Sequence, residues 1–145
     1  AVITRFEDLQ VWISSRKLTR KVCQITKTGP FSRDYGLRDQ IRRAAISTMS
    51  NIAEGFDSNT QALFISYLGR ARASIGEIRC QLYIALDLEY ITEPQFRDLE
   101  ENAGIAAVNY LVLSNTADPN QTPIELDDQV LRCLPPINYY LISNI

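Results

Sequence analysis

The chain of 145 residues contains no histidine. That absence removes the commonest general base, the commonest transition-metal ligand and the usual side-chain pH switch, so His-based triads and His-containing zinc sites are excluded. Cysteine is scarce. Cys23, Cys80 and Cys133 stand more than fifty residues apart, which fits neither a CxxC pair nor the even-numbered disulfide framework of a small secreted domain. They read as reduced, mostly buried thiols of a cytoplasmic protein. Six glycines and six prolines are too few for a collagen-like or low-complexity chain, and no glycine pattern builds a phosphate-cradling loop. No apolar run approaches the roughly 20 residues that a membrane span needs. The longest, Ala103 to Leu113, contains Asn109, and Glu7 and Asp8 stand where a signal peptide would be apolar. No membrane association is expected. What remains is ordinary globular composition, 46% hydrophobic and 22% charged, at a length that buries roughly 70% of the surface of the unfolded chain.

Apolar residues recur at spacings of three and four in four segments. The clearest runs from about Ser58 to Leu88, where Phe64, Leu68, Ala71, Ile75, Ile78, Leu82 and Ala85 form a seam sustained over three heptads. The segment from about Glu93 to Ser114 repeats it with Phe96, Leu99, Ala103, Ala106, Tyr110 and Leu113. An earlier one, about Asp34 to Glu54, carries Leu37, Ile41, Ala44, Ala45, Thr48 and Ile52, with Gly55 placed as a left-handed C-cap. The first, about Arg5 to Lys27, ends at Thr28-Gly29-Pro30. Ser or Thr followed three residues later by Glu or Gln predicts reciprocal caps at Thr4/Glu7, Ser58/Gln61, Thr92/Gln95 and Thr122/Glu125. Connections of a few residues favour antiparallel neighbours. The expected fold is all-α, an antiparallel up-and-down four-helix bundle over residues 1–115, with a C-terminal extension over 116–145 comprising a linker, a short amphipathic helix and an apolar tail.

Two helices carry more apolar or small surface than one bundle can bury. On the first, Phe6, Leu9, Trp12 and Ile13 lie away from the main stripe. On the third, the side opposite the seam presents Gly69, Ala73 and Gly76, small residues that let another backbone approach. Both faces read as an oligomer interface. Polar residues also fall in rows: Gln40, Ser47, Asn51 and Glu54 on the second helix, and Arg70, Ser74, Glu77 and Gln81 on the third. A hydrogen-bonded network that fixes helix register is the first reading. An acid/base site built on Glu54, Glu77 and Arg70 is the alternative, but the di-metal bundle signature needs histidines this chain lacks. No cofactor is expected.

The net charge of −2 hides a division: residues 1–72 carry +6 and residues 73–145 carry −8. Arg16, Lys17, Arg20 and Lys21 form one basic patch, and Arg38, Arg42 and Arg43 another. Such clusters neutralise phosphates by releasing counterions; alternatively they are a solvated face or pair with Asp98, Glu100 and Glu101.

Four segments together carry a resemblance: Phe6-Glu7-Asp8-Leu9-x-Val11-Trp12, Tyr35-Gly36-Leu37-x-x-Gln40-Ile41-Arg42-Arg43-Ala44-Ala45, Ser50-Asn51-Ile52-Ala53-Glu54-Gly55-Phe56 and Ala73-Ser74-x-x-Glu77-x-x-x-Gln81. From about Arg5 to Leu113 the chain resembles the bacterial four-helix-bundle proteins whose reading frames lie in intervening sequences of 23S ribosomal RNA genes. The resemblance implies a left-handed bundle that assembles into a ring-like homopentamer. It also implies likeness to the accessory protein of diversity-generating retroelements, whose partners are a reverse transcriptase and nucleic acid. Many relatives have proline near the position of Met49, so its absence here predicts a less kinked second helix. A non-enzymatic cytoplasmic assembly or adaptor module, with weak RNA or ribonucleoprotein association, is the expected function.

Overall fold

The computed structural model describes residues 2–117. Among them the chain is entirely helical: a 3₁₀ turn at Phe6–Asp8, then α1 (Gln10–Ile25), α2 (Gly29–Arg33), α3 (Tyr35–Asp57), α4 (Gln61–Asp87) and α5 (Glu93–Ala117). The expected short helix and apolar tail of the extension lie outside the described residues, and α5 runs two residues past the expected boundary at 115.

The first helix begins later than its periodicity suggests. Leu9 is extended, and the Thr4/Glu7 spacing makes no cap. The 3₁₀ turn folds Phe6 back onto Trp12 instead, ring centroids 5.3 Å apart and edge to face. Thr28-Gly29-Pro30 does stop α1, with Gly29 at a φ of +70° that glycine adopts without strain. Pro30 then opens a five-residue helix, where its missing N–H is no loss, and α2 delivers Phe31 to the core.

Asp34 caps α3 by accepting from the Leu37 N–H at 3.1 Å. Its other carboxylate oxygen accepts from the Tyr90 hydroxyl at 3.1 Å, a bond that raises the Tyr90 pKa, while Tyr90 packs beside Phe31 at 5.5 Å. The α2–α3 corner is thereby tied to the α4–α5 turn. In that turn Glu89 is left-handed (φ 57°), the Tyr90 N–H bonds to Ala85 O and the Glu89 N–H to Leu86 O, the paired bonds of a Schellman motif. The Thr92/Gln95 cap forms in both directions, at 2.9 and 3.4 Å.

At the other end the structure corrects two expectations. The N-cap of α4 is Thr60, which accepts from the Leu63 N–H; Ser58 instead donates to Gly55 O at 2.6 Å and closes α3. Nor is Gly55 a left-handed cap, since α3 continues to Asp57. Its hydrogen side chain is needed for approach: a Cβ there would meet Tyr67 Cβ at 2.7 Å and Phe64 at 3.1 Å.

Four long helices share one core and close a cycle of neighbours, α1 on α3, α3 on α4, α4 on α5 and α5 on α1. The seam residues Leu68, Ala71, Ile75, Ile78, Leu82 and Ala85 are buried, as are Ile41, Ala45 and Ile52 from α3, Val11, Leu18 and Val22 from α1, and Leu99, Ala103 and Ala106 from α5. Tyr110 is buried among them, with its hydroxyl 3.4 Å from Thr48 O, and burial pushes its pKa well above the ordinary tyrosine value. Gly55→Ala should lower stability by about 1–3 kcal/mol, because overpacking at the α3–α4 contact outweighs the gain in helix propensity. A fall in the urea midpoint checks this; a rise would show that the two helices separate at no cost.

Candidate functional site

The two polar rows meet where α3 lies along α4. Ser74 Oγ is 3.1 Å from Ser47 Oγ, Asn51 Nδ2 donates to Ser47 O at 2.7 Å and to its Oγ at 3.0 Å, and Gln81 Nε2 reaches Gln40 Oε1 at 3.4 Å. Gln81 Oε1 is buried without a protein partner. These groups are neutral and joined across the contact. Glu54, Arg70 and Glu77 are not joined to them. All three are exposed, and the Arg70 guanidinium lies over the Tyr67 ring at 5.1 Å. The reason is angular: each charged residue sits further round its helix than the seryl and amide groups, past the line of contact. The carboxylates and the guanidinium are not assembled as an acid/base site.

The basic residues separate into two kinds. Arg42 donates from Nε to Thr26 Oγ1 at 2.7 Å and from Nη2 to Thr26 O at 3.1 Å, closing the C-terminal end of α1 at the buried Thr26. Arg38 bonds Asp39 Oδ1 at 2.9 Å and Ser32 O at 3.1 Å and covers Tyr35 at 4.7 Å. Lys21 pairs with Asp98 on α5, and Arg16 stacks over Trp12 at 5.6 Å. Lys17, Arg20 and Arg43 are exposed and form no ion pair or side-chain hydrogen bond among the described residues. Glu100, one of the acids expected opposite the basic patch, is held in two-pronged fashion by Arg79 at 2.8–3.0 Å, a bond that raises the arginine pKa.

On the small-residue side of α4, Gly69, Ala73 and Gly76 are exposed, and a Cβ added at either glycine meets nothing within 4 Å. Ile13 is exposed too, and Cys80 corrects the expectation of mostly buried thiols: it is exposed on α4, and Cys23 is only half-buried. Leu9 corrects the sequence reading: it is buried in the core and unavailable to a second copy, because the extended turn before α1 points it inward. Phe6 and Trp12 are partly buried against that core. Sequence reasoning also missed Ile46, which stands exposed on the outward side of α3; the row Asp39, Arg43, Ile46, Ser50, spaced four, three and four, was the available signal.

Residues 7–107, from the 3₁₀ turn through most of α5, match the 23S rRNA-intervening sequence protein family. The chain belongs to that family. The matched span contains both polar rows and the residues of both basic patches. No curated protein matches the chain.

The division among the cations is measurable. Arg42→Ala should cost about 1.5–3 kcal/mol, the range for hydrogen bonds to a charged group, whereas Arg20→Ala and Arg43→Ala should each stay within about 0.5 kcal/mol of the parent. Equal denaturation midpoints for all three would remove the distinction.

Proposed function

We propose that this member of the 23S rRNA-intervening sequence protein family is a non-enzymatic, homo-oligomeric bundle acting as an assembly or adaptor module, and that its basic face binds RNA weakly. An up-and-down, antiparallel order of the four long helices is part of the reading. The register of contacts supports it: as numbering rises on one helix it falls on its neighbour, in Thr19–Ala45 and Thr26–Arg42, Ser47–Ser74 and Gln40–Gln81, Tyr83–Phe96 and Arg79–Glu100, and Ser14–Asn109 and Lys21–Asp98.

The observation that carries self-association is the face of α4. Two glycines on the solvent side of a long helix forfeit about 1 kcal/mol each against alanine, and no atom of the described residues approaches them to make use of their smallness. A second backbone would use it. A ring of five copies is what the resemblance adds. Light scattering should give a mass several times 16.4 kDa, and Gly69→Leu with Gly76→Leu should return the protein to a monomer with unchanged helix content. A wild-type monomer in dilute solution would end the proposal.

RNA binding is favoured by Lys17, Arg20 and Arg43, whose charges have no partner among the described residues. Each phosphate contact should contribute roughly 0.7–0.9 to the slope of log affinity against log salt. Arg20→Glu with Arg43→Glu should flatten that slope while leaving the melting curve in place. Failure of the wild type to shift a ribosomal RNA fragment at low salt would remove the RNA part and leave the assembly part standing.

The competing reading, a small-molecule or catalytic bundle, requires Glu54, Glu77 and Arg70 to converge. Their exposure and separation from the hydrogen-bonded row favour the assembly reading over it.

A further inference from the structure

The outward sides of α1 and α3 lie next to each other, since Thr19 bonds Ala45 O and Arg42 bonds Thr26 across the contact. On α1 that side presents Ile13, Arg16, Lys17, Arg20 and Gln24, all exposed; on α3 it presents Arg43 and Ile46. Ile13 and Ile46 are 45% and 54% exposed, so the surface combines two open aliphatic side chains with four cations. The sequence that follows α5 has the opposite charge and the same apolar content. Residues 118–145 hold Asp118, Glu125, Asp127 and Asp128 against a single Arg132, and Leu126, Val130 and Leu134 recur at a spacing of four.

We propose that residues 123–134 dock, within the same chain, on the outward α1–α3 face, setting Leu126 and Val130 against Ile13 and Ile46 and the flanking Glu125 and Asp127 among Arg16, Lys17, Arg20 and Arg43. The point of departure supports this occupant. Helix α5 passes α1 where Asn109 Nδ2 meets Ser14 Oγ at 3.1 Å, and eight more residues carry it only about 12 Å further, so the chain leaves beside the start of α1. Residues 118–122 span up to roughly 17 Å, enough to reach Ile13. A helical stretch of twelve residues is about 18 Å long, close to the distance along α1 from Ile13 to Gln24. Of the other open apolar side chains, Tyr35, Tyr83, Ile84 and Leu88 lie toward the opposite end of α5, roughly 30–36 Å from Ala117 and beyond the reach of this segment, while Val2 and Leu63, at the near end, lack the row of cations that would match its acids. Docking covers the cations assigned above to RNA; that consequence alone rests on the RNA reading.

The natural cysteines test it in the full-length protein. Docked parallel to α1 with Leu126 at Ile13, the segment brings Cys133 within one helical turn of Cys23, about 5 Å along the axis, whereas Cys80 is exposed on a different helix. A short bismaleimide should join Cys23 to Cys133 within one chain, and mixed light and heavy isotopic protein should yield no hybrid link. Because Cys23 is partly buried, the reaction is repeated with Gln24→Cys, whose side chain is exposed. Leu126→Asp with Val130→Asp should abolish the link and leave the bundle's melting intact. A link to Cys80, a hybrid link, no link in either protein, or a link that survives the double substitution would overturn the docking. The same double variant should bind a ribosomal RNA fragment several-fold more tightly than the wild type despite two added negative charges, an increase that charge alone cannot give. Unchanged or weaker binding beside a lost link would overturn the covering of the RNA face; no RNA binding by either protein would refute the RNA reading while the docking stands on the cross-link.

Discussion

Helix α3 comes so close to α4 at Gly55 that a single added carbon would sit 2.7 Å from Tyr67 Cβ, and this proximity governs what the rest of that contact is made of. Midway along the contact short residues meet, Ser47 from α3 and Ser74 from α4, while longer ones, Gln40 with Gln81 and Phe56 with Phe64, meet toward its two ends. At such separation a hydroxyl can bond a hydroxyl, as Ser47 and Ser74 do at 3.1 Å, where a larger side chain would force the helices apart. Buried polar groups need partners or they cost about 1–3 kcal/mol each, so a close contact made of seryl and amide groups also selects register: a slip by one turn would separate the donors from the acceptors.

Helix α4 packs on α3 with one flank and on α5 with the other, its aliphatic seam lying between. Its remaining side has no neighbour among the described residues, which is where the sequence places glycine and alanine. Nothing among the described residues uses their smallness; on the α3 side the smallness of Gly55 is explained at once by the approach of Tyr67 and Phe64. At the far end a different device fixes the layout. The Asp34 carboxylate serves two elements, capping α3 with one oxygen and accepting from Tyr90 with the other, so the turn between α4 and α5 is tied to the start of α3. Glu89 carries the cost of the left-handed conformation there, of order 1 kcal/mol for a residue with a Cβ, and the two backbone bonds of the turn offset it.

The helical core was legible because heptad spacing survives any detail of the ends: every seam residue from Leu68 to Ala85 is buried as its periodicity required. Ends were less legible where several residues competed. Ser58 and Thr60 are both cap formers, and the Gln61 three residues after Ser58 suggested the wrong one; the geometry of the Gly55 contact, absent from any local pattern, decides between them. The Gly29-Pro30 pair was read as a stop, and it is, but the same proline is tolerated in the first turn of a helix, so α2 began where only a loop was expected. Leu9 looked like surface because it falls off the α1 stripe; the extended residue before the helix turns it inward. Among the cations the sequence offered no way to tell Arg42 from Arg43. Adjacent positions on a helix point 100° apart, and only the neighbouring Thr26 makes one of them structural.

The opposite charges of the two halves of the chain are not neutralised inside the bundle. Among the described residues one ion pair, Lys21–Asp98, joins the basic half to the acidic half; Arg5–Glu7 and Arg38–Asp39 are local within the first, Arg79–Glu100 and Arg97–Glu93 within the second. Exposed pairs of this kind contribute about 0–1 kcal/mol, so the charge separation is not what holds the fold together, and a bundle with the same core could dispense with it. Its physical effect lies outside the core. A concentration of one sign on the outward side of α1 and α3 produces a field that extends about a Debye length, roughly 8 Å at physiological salt, and such fields act on encounter rate and partner choice more than on stability. The apolar seam therefore accounts for why the chain folds, and the uneven charge bears on what approaches it once folded.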